Sequence, residues 1–303
     1  MQYFPLFVDT QSLRVLLIGA GEVASRKLDL LSRTDAHITV IAPDVCHEVL
    51  AYQQSQRIRL LQREADVEDI IDIDLLYLAT ADDELNQRFA LYAHQHGIWV
   101  NVVDSPALCR FITPSIIDRG KLQVAISTAG AAPVFARDLR SRIETLLPHS
   151  LNPLLDFIAE RRVEVQQKLP VFHQRKLFWE HFFEANGDGF DDKTSVHYAN
   201  AFNQLSSQGE ILLIDELTEF SLLPIAAMPL LQKLDVVYSE LALPHSLLEL
   251  CRRDASREAM ISMSQLSELY DKGQRSLIYA NKEAISKLVA YFPMAKHLKV
   301  GSI

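Results

Sequence analysis

Apolar positions follow two rhythms along the first third of the chain. Arg14-Val15-Leu16-Leu17-Ile18 is a strand-like run, whereas in Glu22 to Arg33 the residues Ala24, Leu28 and Leu31 recur at helical spacing and would face a sheet. Further strands are read at Ile38 to Ala42, Leu75 to Thr80 and Trp99 to Val103, with a helix from about Glu84 to His96 between the last two. Strands alternating with amphipathic helices over the first ~110 residues predict a parallel sheet covered by helices.

Beyond this region, Leu122 to Ser127 reads as another strand. The small-residue loop Thr128-Ala129-Gly130-Ala131-Ala132-Pro133 then enters a helix running to about Leu147. Pro148, Pro153 and Pro170 punctuate a mostly helical stretch as far as Leu205. Ser206-Ser207-Gln208-Gly209 reads as a linker, after which strand and helix patterns resume at Glu210 to Ile214, Leu222 to Lys233, Val236 to Tyr238 and Leu277 to Ala280. That last part is read as a separate small α/β unit.

Composition narrows the function classes. With 49% hydrophobic residues in 303, the chain can bury a substantial core, yet its longest apolar runs, such as Leu75 to Ala81, are far too short to span a bilayer. A cytoplasmic location is the default expectation. A formal net charge of -9 disfavours nucleic acid or an anionic membrane as a partner, so an anionic substrate would need a local basic pocket. Cys46, Cys109 and Cys251 are too scattered for a zinc site or a disulfide framework and read as reduced thiols. His94 and His96 are two apart on a helix and point in different directions, so no metal site is assigned.

The sharpest local signal is Gly19-Ala20-Gly21-Glu22-Val23-Ala24, a GxGxxA string between a strand and a helix. Gly19 permits the tight turn, Gly21 lets backbone approach a pyrophosphate, and Ala24 lets the helix pack closely, while the helix N-terminus offers free N–H groups to the phosphates. The bland reading is a glycine turn that only packs. At the end of the second strand the chain reads Ile41-Ala42-Pro43-Asp44, so the acidic residue that would hold the ribose hydroxyls stands one step late, and NAD is favoured over NADP only modestly. Asn101-Val102-Val103-Asp104 ends the last strand of this region at a carboxyl edge, where open parallel sheets place their ligands. Taken alone, Asp104 is read first as a cap or turn residue.

These motifs together resemble the N-terminal module of siroheme synthase, the bifunctional precorrin-2 dehydrogenase and sirohydrochlorin ferrochelatase. The resemblance is carried by the glycine string with Arg26-Lys27, by Ala79-Thr80-Ala81-Asp82-Asp83 with Asn86, and by Asn101 to Asp104 with Phe111-Ile112 and Pro114-Ser115-Ile116-Ile117. Ala125-Ile126-Ser127-Thr128-Ala129-Gly130 with Pro133 and Ala136-Arg137 extends it, and Arg175, Phe178-Trp179 and Phe182-Phe183 resemble the family's next section. It implies a Rossmann NAD-binding domain at 1–113, a dimerisation region at 114–148, a helical domain at 149–208 and a small α/β remnant at 209–303. It further implies a homodimer that oxidises precorrin-2 to sirohydrochlorin with NAD and then takes ferrous iron as a substrate to give siroheme.

By position, the resemblance implies that Gly19, Gly21, Glu22, Val23, Pro43, Asp44 and Thr80 line the NAD site and that Asp104 is the catalytic aspartate. Asn101, Ser127, Thr128, Gly130 and Arg137 are the implied tetrapyrrole-binding residues. Hydride removal from a reduced macrocycle leaves positive charge that proton loss must relieve, and metal insertion expels two pyrrole protons, so one carboxylate can assist both steps. Thr128 stands where the family commonly has serine, and its extra methyl would narrow the pocket. Arg137, Arg140 and Arg142 can supply positive charge to a polycarboxylate; pairing with Asp138 and Glu144 on a solvated face is an equal alternative.

In the long form of siroheme synthase a methyltransferase domain follows. Gly209-Glu210-Ile211-Leu212-Leu213-Ile214 resembles its first strand, but Asp215-Glu216-Leu217-Thr218-Glu219 stands where its glycine-rich loop would be. Residues 209–303 are therefore read as a degenerate methyltransferase-like remnant. Two rival readings stay open: a dehydrogenase without chelatase activity, and a non-enzymatic NAD- or tetrapyrrole-binding sensor on the same scaffold.

Overall fold

The computed structural model describes residues 2–203, 205 and 209–302; of the expected linker, residues 206–208 lie outside the described residues. The chain divides into two compact units, Met1–Leu147 and Pro148–Ile303.

The first unit holds β1 (Arg14–Ile18), α1 (Glu22–Leu31), β2 (His37–Ile41), α2 (His47–Gln54), β3 (Arg59–Leu61), β4 (Leu75–Leu78), α3 (Asp83–Gln95) and β5 (Trp99–Val102). All five strands are parallel in the order β3-β2-β1-β4-β5. The chain winds outward from β1 through β2 to β3, then crosses to β4 on the other side of β1, which makes the β1–β4 boundary a topological switch point. The sheet is buried on both faces. Val15 and Leu17 pack with Ala24, Leu28 and Leu31 of α1, while Leu16 and Ile18 pack with Phe89, Ala90 and Ala93 of α3. Burial on both faces is why these strands read as unbroken apolar runs.

A two-stranded antiparallel hairpin follows, β6 (Ser115–Arg119) with β7 (Leu122–Ile126), and then α4 (Pro133–Leu146). The buried guanidinium of Arg119 ties the hairpin to the end of α4, donating to Leu147 O at 3.2 Å and pairing with Glu144 at 3.3 Å.

In the second unit, α5 (Leu151–Lys168), α6 (Phe172–Asn186) and α7 (Thr194–Ala201) form the expected helical stretch around Phe157, Phe178, Phe182 and Tyr198. The C-terminal part is a second sheet, wholly parallel and five-stranded: β8 (Glu210–Asp215), α8 (Ala227–Leu231), β9 (Val236–Ser239), α9 (His245–Leu250), β10 (Ser256–Glu258), α10 (Met263–Asp271), β11 (Arg275–Ala280), α11 (Lys282–Tyr291) and β12 (Lys296–His297). Its order is β10-β9-β11-β8-β12. The helix pattern read over 222–233 contracts to Ala227–Leu231, because Pro224 keeps the residue before it, Leu223, in extended backbone at ψ 142°. This sheet is tied to the helices before it. Arg275 makes a bidentate pair with Glu180 of α6, at 2.9 and 2.8 Å, and Lys176 of the same helix is paired with Asp235.

Candidate dinucleotide and substrate site

Gly19 leaves β1 with φ +104°, and its N–H donates to Ile41 O at 2.9 Å. A Cβ at this position would stand 2.4 Å from Ala79 O, so the end of β4 presses on the turn so closely that only glycine fits. Gly21 differs: it is the N-cap of α1 in extended backbone, and a Cβ there would meet nothing within 4 Å. The free space in front of Gly21 borders the amino end of α1, which no side chain caps. The first N–H groups of a helix have no partner within it, so this end presents donors and a positive dipole to open space. Ala20 and Ala24 are buried against the sheet, as the small positions of the string require.

Pro43 and Asp44 are exposed just past β2, beside the glycine turn, and Cys46 N–H donates to Ala20 O at 2.9 Å to hold the two loops together. Glu22 and Val23 open α1 on its exposed side, Glu22 facing Arg26 at 3.8 Å. Thr80, past β4, is locked by Asn86: its hydroxyl donates to Asn86 Oδ1 at 2.8 Å, and Asn86 Nδ2 returns a bond to Thr80 O at 3.0 Å. Gly19, Gly21, Pro43, Asp44, Thr80 and Asp104 all follow carboxyl ends of strands in one parallel sheet, around its switch point. These residues fit a dinucleotide: a turn pressed tight at Gly19, open space at Gly21 and uncapped amides beyond it.

Asp104 sits in the turn after β5, exposed, with φ +55°. That left-handed conformation is unusual for a residue with a Cβ. Cys109 holds the turn: its Sγ lies 3.1 Å from Val102 N, 3.3 Å from Val102 O and 3.4 Å from Ser105 O. Asn101 is 6% exposed, and its Nδ2 donates to Phe111 O at 3.0 Å with Cys109 Sγ 3.7 Å away. Asn101 therefore builds the scaffold under Asp104, and sequence reasoning missed Cys109, whose role as a clamp has no spacing signature. Both histidines of the rejected metal pair brace the protein instead. His94 Nε2 is 3.0 Å from Leu108 O, and His96 Nδ1 is 2.9 Å from Tyr92 O.

The remaining expected residues lie on a different element. Ser127 Oγ accepts from Ala129 N at 3.0 Å and Thr128 Oγ1 from Ala132 N at 3.2 Å, so both hydroxyls shape the loop between β7 and α4, which passes through left-handed Ala129 and Gly130. Two of the three arginines of α4 divide. Arg142 pairs with Asp138 at 2.7 Å, whereas exposed Arg137 has no ion-pair partner among the described residues. Glu144 is taken by Arg119.

In the second unit, Asp215 closes the loop after β8. Its Oδ1 accepts from Leu217 N at 3.0 Å and Thr218 Oγ1 at 3.1 Å, and Oδ2 lies 3.3 Å from His297 Nε2. Burial and the charge of Lys299 push the His297 imidazole down, against the pull of Asp215. Among the described residues there is no group of three or more His, Cys, Asp or Glu placed to hold a metal ion, and no helix is long and apolar enough to cross a membrane.

Fold and turn define a dinucleotide-binding protein of the Rossmann class, and residues 6–115 match the NAD(P)-binding family profile. Residues 119–146 match the central region of sirohaem biosynthesis proteins and residues 150–191 the sirohaem synthase dimerisation region. Over these three regions the chain is similar to siroheme synthases. It is 37% identical to the siroheme synthase of Pseudoalteromonas atlantica over 268 residues, covering 85% of this chain and 58% of that protein. It is 36% identical to the siroheme synthase of Zymomonas mobilis subsp. mobilis, covering 85% and 56% respectively. The chain thus spans just over half the length of the curated relatives it matches. Among solved structures it resembles SirC, a precorrin-2 dehydrogenase, with a TM-score of 0.52 and 22% identity over 67% of this chain and 98% of that one, a likeness of fold. The dimerisation profile falls on α5 and α6, one region downstream of the 114–148 segment to which the sequence reading gave that role.

Proposed function

We propose that this chain oxidises precorrin-2 to sirohydrochlorin with NAD as hydride acceptor and that Asp104 then assists insertion of ferrous iron, a substrate, to give siroheme. The observation that carries the reading is the placement of Asp104. It is an exposed carboxylate held in left-handed backbone by a cysteine clamp, at the same sheet edge as the open glycine turn. NAD supplies the acceptor for a hydride from the ring. The chain supplies the rest: Gly19 and Gly21 admit the pyrophosphate, the amino end of α1 donates to it, and Asp104 takes the proton that the oxidised macrocycle sheds. The same carboxylate can accept the pyrrole protons that an entering metal displaces. Ser127, Thr128 and Gly130 of the β7–α4 loop and Arg137 of α4 are proposed to meet the carboxylate-bearing rim of the ring, with Arg137, which has no ion-pair partner among the described residues, as the charged contact.

The test is anaerobic NADH formation from precorrin-2 and NAD, followed by metal uptake from sirohydrochlorin and ferrous ion. Asp104→Asn keeps the shape and removes the base, so kcat for oxidation should fall roughly a hundredfold or more with the KM for NAD unchanged. An Asp104→Asn variant that turns over like the parent would overturn the role. Oxidation without metal uptake would leave a dehydrogenase alone, and NAD binding without turnover would leave a sensor.

A further inference from the structure

Lys27 belongs to none of the functions assigned above. It lies on α1, one turn beyond Val23, half-buried where its neighbour Arg26 is spread on the surface against Glu22. Its Nζ stands 5.9 Å from the centroid of the buried Tyr77 ring. Tyr77 in turn is the strand partner of Asn101, three residues before Asp104. Among the described residues Lys27 has neither an ion pair nor a hydrogen bond. The groups whose charge reaches it are Cys109 and Asp104, the clamp and the acid of the β5 turn. Burial nonetheless pushes its ammonium below the usual lysine range.

A half-desolvated ammonium with no anion in contact is costly in the free protein, and the Tyr77 ring face 5.9 Å away offsets only part of that cost. An anion brought by a ligand would relieve that cost, and two ligands of this cleft carry anions: the dinucleotide through its pyrophosphate and the macrocycle through its carboxylates. The pyrophosphate already has donors at the uncapped end of α1, a full turn before Lys27. Lys27 instead lies toward the turn that carries Asp104.

We propose that Lys27 is the anchoring cation for the tetrapyrrole, taking one peripheral carboxylate of the ring and thereby fixing which edge of the macrocycle faces Asp104. The inference rests on the tetrapyrrole reading above. A charge-assisted contact of this kind is worth about tenfold or more in affinity.

The experiment compares Lys27→Met and Lys27→Arg with the parent in the full chain. Lys27→Met should raise the KM for precorrin-2 about tenfold or more while the KM for NAD stays within about twofold, and Lys27→Arg should recover most of the loss. Unchanged NAD binding by Lys27→Met shows that α1 is still folded. A rise in the KM for NAD with that for precorrin-2 unmoved would give Lys27 to the cofactor phosphates and overturn the proposal, as would no change in either. Direct binding of sirohydrochlorin, followed by fluorescence without NAD, separates the two levels. If the parent binds sirohydrochlorin without oxidising precorrin-2, the enzymatic reading fails while the anchor is still decided by whether Lys27→Met binds about tenfold more weakly. A parent that does not bind the ring overturns both.

Discussion

Two glycines two positions apart in one short string do opposite things, and substitution separates them. Gly19→Ala puts a methyl 2.4 Å from Ala79 O at a φ of +104°, so the turn must shift or the β1–β4 contact must open. The expected cost is at least about 2 kcal/mol, read as a drop of roughly 5 °C or more in the melting of the first unit. Gly21→Ala adds a methyl to empty space in extended backbone, so melting should move by no more than about 2 °C. That methyl would stand where the pyrophosphate is proposed to come, and NAD affinity should fall about tenfold or more. Equal melting losses for the two variants, or undiminished NAD binding by Gly21→Ala, would contradict the division of labour. The residue scale was also where sequence reasoning reached least far. The glycine string announces itself by spacing, whereas Cys109 and Lys27 owe their places to a loop closing on itself and a helix lying on a ring, contacts that leave no periodic trace.

At the scale of elements, strands buried on both faces were legible because every residue from Val15 to Ile18 is apolar. Those missed were short or half-covered: β3 is a three-residue edge strand with no fully buried side chain, and β6 pairs only with β7. Helix α2 buries Val49 alone, so its pattern is faint. The β6–β7 hairpin has another consequence. A two-stranded ribbon is marginal by itself, and α4 beside it exposes Val134, Phe135 and Leu146 at 69%, 56% and 75%. Apolar side chains this exposed on one helix mark a surface that a second copy would cover, in keeping with the proposed homodimer and with the 114–148 segment as part of its interface. Phe135→Asp should then shift the protein from dimer to monomer in light scattering at micromolar concentration while its helical content is retained. A Phe135→Asp protein that stays wholly dimeric would remove α4 from the interface and leave it to α5 and α6, where the dimerisation profile matches.

Across the whole molecule the two units have the same kind of sheet and opposite loop chemistry. Both sheets are parallel, five-stranded and buried on two faces, and in each a strand ends at a turn where a nucleotide-like ligand could approach. After β1 the turn is glycine and open. After β8 it is closed by Asp215, whose carboxylate occupies the loop by accepting from Leu217 N and Thr218 Oγ1 and facing His297. The similarity to siroheme synthases covers 85% of the chain, so at least β8 and β9 of this second sheet fall within the shared sequence. We therefore expect residues 209–303 to be a methyltransferase-like remnant that keeps the framework and has lost the ligand. An adenosyl ligand approaching this turn would have to displace the Asp215 carboxyl group from three hydrogen-bonding partners, with no glycine to let backbone come near. Calorimetry should register no binding of S-adenosylmethionine to the full chain under conditions where NAD binds, and no methyl group should pass to uroporphyrinogen. Gly209 would then be kept for packing, because a Cβ there meets Tyr270 O at 2.4 Å and Gln274 O at 2.8 Å. Gly209→Ala should lower the melting temperature of the second unit by several degrees and leave NAD affinity alone. Tight binding of S-adenosylmethionine would instead mean that the Asp215 loop opens, and that this sheet has kept a ligand of its own.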